Sequence, residues 1–411
     1  MPSSKVTKNP IGTIFLTTFI DLLGVGLIIP IVAPLLLESN QMLPAEVSYQ
    51  TRAQLLGYLI ATFSIFQFFS APILGSLSDK YGRKKLLYIT VFATIFSYSF
   101  MGLSIALGNI YLFFLGRGLT GFAAGNLSVI YSALADVSTP ETKPKNFGLV
   151  GAAFGLGFIV GPVVGGLLSD SSLVSWFTYS TPFYASASLA LLNLIVIIKE
   201  FPETLKVPNL VVKVSLFTGL QNIQKAFASN AILRTIFLVV FLFSFGFTFF
   251  AQFFQVYLIK KFAYQQKDIG LFFGYIGILI SVTQGGLVRV FAKKFSPIAI
   301  LSVTVLTMSV GYLAVLVPEK PWLLFLFMPL ISVSQGLSFP NISTMVSNAA
   351  PNHLQGETLG MQQSIQSLAQ IVPPLIGGFA VAFSIEFPLY LAAGCTFLAW
   401  LIFIGKFRAG K

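Results

Sequence analysis

Two ionisable side chains lie deep in long apolar runs of this 411-residue chain: Asp21 in "FIDLLGVGLIIP" and Arg117 in "FLGRGLTGFAAG". A carboxylate in such surroundings can take up and release a proton. A guanidinium keeps its charge under ordinary conditions, so it can only steer that acid or meet a solute. A third charged group, "GSLSDKYGRKKLL" at 75–87, sits between two apolar runs, with Asp79 bracketed by Gly75 and Gly82 and followed by Arg83. Other chemistry is poorly supplied. The only histidine, His353, and the only cysteine, Cys395, are distant in sequence, which excludes an all-protein zinc site of the usual ligand types. Nucleophilic catalysis of the Ser-His or Cys-His kind has only His353 as a base. The expectation is a protein that is not an enzyme, with no metal and no cofactor.

The elements that position these groups are set by composition. Hydrophobic residues make up 55% of the chain and charged residues 9%, with a mean hydropathy of +0.86. A soluble domain carries about 25% charged residues, so the solvent of this chain is lipid. Apolar runs of about 20 residues, the length that crosses a bilayer as helix, are expected near 11–36, 53–78, 86–107, 109–134, 147–168, 181–198, 232–256, 268–290, 297–317, 322–347, 357–383 and 387–405. Nothing alternates as barrel strands would. Twelve spans put both termini on one side. Of 25 Lys and Arg, 19 fall on that side and five opposite (Arg52, Lys260, Lys261, Lys267, Lys320), while Arg117 lies within a span. By the positive-inside rule both ends are cytoplasmic. The net charge of +12 is then an orientation signal and gives no reason to expect a nucleic-acid partner. The N-terminus leads into a run too long for a signal-peptide core, and a lone cysteine forms no intrachain disulfide.

The chain reads as a duplication. "IFLTTFIDLLG" at 14–24 matches "IFLVVFLFSFG" at 236–246, "TGFAAGNLS" at 120–128 matches "QGLSFPNIS" at 335–343, and "GPVVGG" at 161–166 matches "PPLIGG" at 373–378. The expected organisation is a six-helix bundle over 1–198, a cytoplasmic linker over 199–231, and a second bundle over 232–411. In the linker, Leu216, Phe217, Leu220, Ile223 and Phe227 repeat at helical spacing, which suits a helix lying on the membrane surface; a flexible linker is the alternative. Asn230 is placed to cap the seventh span.

With these spans in place, Gly75, Leu77, Asp79, Lys80, Gly82, Arg83 and Lys84 resemble the signature loop of the major facilitator superfamily, between spans 2 and 3. The matching loop of the second half, "RVFAKKFSP" at 289–297, keeps only an echo, with Lys293 where Asp79 stands. "RGLTGFAAG" at 117–125 resembles the span-4 motif that begins with an intramembrane arginine. "GLGFIVGPVVGG" at 155–166 resembles the span-5 motif of proton-coupled drug antiporters, with Ala152 in place of the family's leading glycine. The chain is thus similar to twelve-span drug:proton antiporters, among them tetracycline efflux proteins. It lacks the span-3 acid and span-8 histidine expected of tetracycline exporters. That resemblance covers residues 11–407 and implies alternating access between two parallel halves, with the solute site at their interface.

The resemblance also implies residue roles. Asp79 is expected to face the start of span 11, near Gly356, and Arg83 to pair with Asp136 at the cytoplasmic end of span 4. Together with Gly75 and Gly82 they would form a cytoplasmic gate; the alternative, that the cations only set topology, applies best to Lys80, Lys84 and Lys85. Gly157, Gly161 and Gly165 recur every four residues and bare one face of span 5 for close helix packing, while Pro162 bends it and Gly166 follows. Asp21 lies about nine residues in from the cytoplasm and Arg117 about eight from the other face, so at roughly 1.5 Å per residue their levels nearly coincide. They are expected to meet and couple proton movement to transport, burial working against the ionised carboxylate and the guanidinium working for it. A static ion pair is the alternative.

Candidate solute contacts are neutral: Asn126 and Tyr131 in span 4, Phe245, Gln252 and Gln255 in span 7, Gln335 and Asn341 in span 10, and Gln366 in span 11. Aromatic walls with scattered amides suit a lipophilic solute, although the stripe Phe241, Phe245, Phe249 and Phe253 equally suits packing or lipid contact. The expected function is secondary active transport, a proton-coupled antiport exporting a lipophilic small molecule or drug, by a monomer in the inner membrane whose partners are protons, solute and lipid. The alternative is a proton-coupled carrier of a metabolite or siderophore with the same fold.

Overall fold

The computed structural model describes residues 10–139, 142–205, 207, 215–350 and 355–407, and its secondary structure is entirely helical. His353 and the linker residues 206 and 208–214 lie outside the described residues. The helices are α1 (Pro10–Leu37), α2 (Tyr49–Tyr81), α3 (Arg83–Ala106), α4 (Ile110–Ala123), α5 (Asn126–Asp136), α6 (Lys143–Leu168), α7 (Thr181–Glu200), α8 (Thr218–Phe227), α9 (Ala231–Phe262), α10 (Gln266–Val282), α11 (Val288–Lys294), α12 (Pro297–Ala314), α13 (Leu324–Ala349), α14 (Gln355–Phe383) and α15 (Phe387–Phe407). Among the described residues, counting α4 with α5 and α10 with α11, eleven helical runs are long and apolar enough to cross a membrane, and α6 adds a shorter apolar stretch, Gly155–Leu168.

The surface shows why these runs need lipid. On α3, Ile89, Phe92, Phe96 and Leu103 are exposed along one stripe, and on α7 Leu191, Leu192, Ile195 and Ile198 do the same. Patches of this extent are tolerated only against hydrocarbon or a partner. The interior of the second half is instead aromatic: Phe254 stacks on Phe250 at 4.8 Å and on Tyr257 at 5.9 Å, and Phe250 meets Tyr312 at 5.1 Å.

Two expected spans are not continuous helices. Span 4 breaks at Ala124 and Gly125, where the N–H groups of Gly125, Leu127 and Ser128 reach back three residues instead of four. The cause is a close approach to α2. A Cβ at Gly125 would lie 2.8 Å from the Ala71 nitrogen, and the Ser128 hydroxyl donates to the Ala71 carbonyl at 2.8 Å. Span 8 is interrupted by a wide π turn over Thr283–Leu287, which separates α10 from α11.

Across the molecule, α1 packs on α6 and α7, α9 on α14 and α15, and α12 on α13 and α15, while α2 meets α14 and α6 meets α10. The linker helix α8 begins at Thr218 and spans this seam. Gly219 lies under the Phe68 ring of α2, and the Asn222 amide donates to the Ser364 hydroxyl of α14 at 3.2 Å. Leu216, Phe217, Leu220 and Phe227 are exposed beside it. Asn230 caps α9, its Oδ1 accepting from the Ile232 and Leu233 nitrogens at 3.1 and 2.9 Å.

Candidate functional site

Asp21 sits half-buried on α1, and its two oxygens are held by amides from two other helices. The Asn126 Nδ2 donates to Oδ2 at 2.7 Å, and the Asn193 Nδ2 of α7 donates to Oδ1 at 3.2 Å. Asn126 is the first residue of α5, so the break in span 4 is what sets its side chain beside α1. Among the candidate solute contacts, it is the one that holds the acid. Asn193, fully buried, was not anticipated; its signal was a lone amide within "LALLNLIVII". The Asn193 Oδ1 and the Thr17 hydroxyl, one turn before Asp21, are buried without hydrogen-bond partners.

The expected meeting of Asp21 with Arg117 is not made: no ion pair joins them. The carboxylate is occupied by the two asparagines, and the guanidinium leaves α4 toward α2, where it rests 4.5 Å from the centroid of the Phe63 ring. Its Nε is buried without an acceptor. Tyr98 of α3, buried against Gly24, lies within electrostatic reach of both charges. A cation on an aromatic face is only partly compensated, so Arg117 remains a fixed positive charge within the bundle.

The signature loop is a charge network built on one backbone position. Gly82 has φ of +101°, a conformation that L side chains rarely adopt, and joins α2 directly to α3. The turn buries Arg83. Its Nε lies 3.0 Å from Asp136 Oδ2, and its NH1 lies 2.5 Å from Asp79 Oδ1 and 2.6 Å from the Ser78 hydroxyl. The first turn of α3 has no side-chain cap of its own. The Glu203 carboxylate supplies one, accepting from the backbone N–H groups of Arg83 at 2.9 Å and Lys84 at 3.1 Å, where the helix dipole favours negative charge. A Cβ on Gly82 would lie 2.5 Å from that carboxylate. Thr204 donates to Asp136 at 3.2 Å. Neither Glu203 nor Thr204 was anticipated; the signal was "FPETL" directly after α7. Gly75 faces Ser128 of α5. The start of α14, where Asp79 was expected to point, has side chains outside the described residues near Gly356.

α6 is squeezed between two neighbours. Gly157 and Gly165 meet the α1 backbone at Leu22 and Leu27, and a Cβ on Gly161 would lie 2.7 Å from the Gly26 Cα. On another face the Pro162 carbonyl lies against Gly270, and a Cβ on Gly166 would lie 2.6 Å from the Gln266 carbonyl of α10.

The remaining candidates are spread over several helices. Gln255 is buried, its Nε2 donating to the Gln252 carbonyl at 3.2 Å, and the Oε1 atoms of Gln255 and Gln335 are buried without partners. Asn341 donates to the Leu337 carbonyl at 2.8 Å, Gln366 is buried, and Tyr131 is half-buried. The phenylalanine stripe divides: Phe249 and Phe253 are buried, the latter against Gly377, while Phe241 and Phe245 stay half-buried.

Long apolar helices with charged groups held within them define a multi-pass integral membrane protein. A family model, the Major Facilitator Superfamily, matches residues 14–374, and the chain belongs to that superfamily. It is similar to the tetracycline resistance protein, class C, of Escherichia coli, 27% identical with 96% of this chain and 94% of that one covered. It is also similar to multidrug resistance protein 1 of Bacillus subtilis, 29% identical with 94% and 93% covered. Among solved structures, the human organic anion transporter MFSD10 (TETRAN) superposes with a TM-score of 0.72 at 21% identity, covering 96% of this chain and 98% of that one. That likeness concerns the fold.

Proposed function

We propose that the protein is a proton-coupled antiporter that exports a lipophilic small molecule by alternating access. In this reading twelve spans cross the membrane with both termini in the cytoplasm. Residues 1–198 and 232–411 are two six-helix bundles that rock against each other, and residues 199–231 connect them. The names of the two curated relatives, a tetracycline resistance protein and a multidrug resistance protein, support export of drug-like solutes.

The observation that carries the reading is Asp21, held inside α1 by two amides. An ionised carboxylate accepts only, and both asparagines donate to it. A protonated carboxyl must also donate, and an asparagine whose amide has rotated presents the acceptor it needs. The orphaned Asn193 oxygen fits that second role, so one pair of side chains serves both protonation states. Arg117 cannot release its proton and acts through its distance from Asp21 or by meeting the solute. Proton entry from the outside then neutralises Asp21, and release to the cytoplasm restores its charge, in exchange for solute. Asp79, Arg83 and Asp136 act as the cytoplasmic gate. The half-buried faces of Phe241 and Phe245, with Gln252, Gln255, Gln335, Asn341, Gln366 and Tyr131, are the contacts we assign to the solute.

The test is reconstitution into liposomes holding an internal pH dye. Lipophilic solutes added to one side should move protons the other way, and Asn193→Leu should depress that exchange while leaving protein yield intact. Proton flux unaffected by every member of a broad compound library would contradict the reading.

A further inference from the structure

At the face away from Gly82, the two halves are stapled by side chains that no motif singled out. Glu38 follows the last turn of α1, where its N–H and that of Ser39 both donate to the Pro34 carbonyl at 2.9 and 3.1 Å. Its Oε1 lies 2.7 Å from the Lys260 ammonium of α9. The same ammonium sits 4.5 Å from the centroid of the Tyr49 ring at the start of α2. Nearby, the Gln266 amide of α10 donates to the Tyr179 hydroxyl at 2.6 Å. Both links run from the first half to the second.

Arg52 grips the backbone on both sides of Glu38, at Leu36 and Ser39. This arginine is 5% exposed and pairs with no acid among the described residues. Its guanidinium donates to the carbonyls of Val47 at 3.1 Å, Leu36 at 3.2 Å, Ser39 at 2.8 Å, Leu43 at 3.3 Å and Pro44 at 2.8 Å, and to the Asn40 side chain at 3.0 Å. Five of these acceptors belong to the connection between α1 and α2, and the sixth, Leu36, to the last turn of α1. A planar fork of five N–H donors can gather such a loop, and a lysine with three donors on one atom cannot.

We propose that Glu38 and Lys260 are the gate that closes the face opposite the signature loop, and that Arg52 is the positioning residue that presents Glu38 to it. The inference rests on the alternating-access reading. The strength of the contact suits a gate. Both partners are about a third exposed or more, at 43% for Glu38 and 32% for Lys260, and an ion pair of that exposure is weak. It biases a two-state equilibrium without locking it. When the face opens, α1 and α2 must part from α9, and each partner is already wet enough to be left in water.

The experiment measures the face directly and needs no solute. In a Cys395→Ser background, nitroxides are placed at Ala45 and Glu319, both exposed in connections of this face, and their separation is read by double electron–electron resonance in liposomes across a pH series. Glu38→Gln should raise the long-distance population about two- to fivefold. Glu38→Lys combined with Lys260→Glu should restore the original distribution. Arg52→Lys should raise the long-distance population with both gate residues intact. A wild type that alternates with pH, and variants that match it, would overturn the gate alone. One fixed distance in every variant and at every pH would overturn both the gate and the alternation beneath it.

Discussion

The connection between α2 and α3 and the one between α11 and α12, which the sequence pattern pairs as counterparts, are built differently. The first turns on Gly82, buries Arg83 against two acids, and takes its helix cap from Glu203, 120 residues away. The second caps α12 locally, the Ser296 hydroxyl accepting from the Ala299 nitrogen at 3.2 Å. α11 buries none of its residues, and Lys293 points to no acid among the described residues. The difference teaches that two connections of similar sequence pattern can be held by unlike means. A locally capped turn needs only its own residues. The Gly82 turn needs α5 and the segment after α7, so it is sensitive to the position of both.

This contrast can be broken most forcefully at glycines. Gly161→Leu drives a side chain into the Gly26 backbone and should lower stability by about 3 kcal/mol or more. Gly286→Leu, in the π turn, where an added Cβ would meet nothing outside its own helix, should change it by less than about 0.5 kcal/mol. Thermal unfolding in detergent compares them; equal losses would show that the two halves are packed alike. A smaller effect follows for the charges. Arg83→Ala leaves Asp136 and Asp79 without their partner and should cost about 1–3 kcal/mol, with transport lost, whereas Lys293→Ala should leave both near wild type. Smallest are the caps. Glu203→Gln should loosen the first turn of α3 by about 0.3–1 kcal/mol, and Ser296→Ala the first turn of α12 by about 0.5–2 kcal/mol. Hydrogen exchange of those amides separates a distant cap from a local one, because only Glu203→Gln should also free the Leu205 amide, which donates to that carboxylate at 3.0 Å.

What could be read from the sequence follows the same division. Long apolar runs announce themselves through composition, and the Gly75 to Lys84 stretch carries its pattern in one short segment. Asp136 was reachable because a known family pattern points to it. Glu203, Asn193 and Arg52 were not, since each acts on backbone or side chains brought near only by folding. The break at Gly125 was hidden for a related reason: nothing within "TGFAAGNLS" departs from helix, and the cause is the approach of α2. Asp21 and Arg117 were legible as charges in lipid, while their partners were not. Depth along two helices says how high two groups stand, and rotation about the helix axes decides whether they touch.

The central claim is that Asp21 carries the coupled proton. Asp21→Asn keeps the size of the side chain and removes its ability to ionise. It should abolish solute accumulation driven by a pH gradient in liposomes, while solute binding and solute-for-solute exchange persist. Sustained gradient-driven accumulation by Asp21→Asn, at a rate near wild type, would contradict the account.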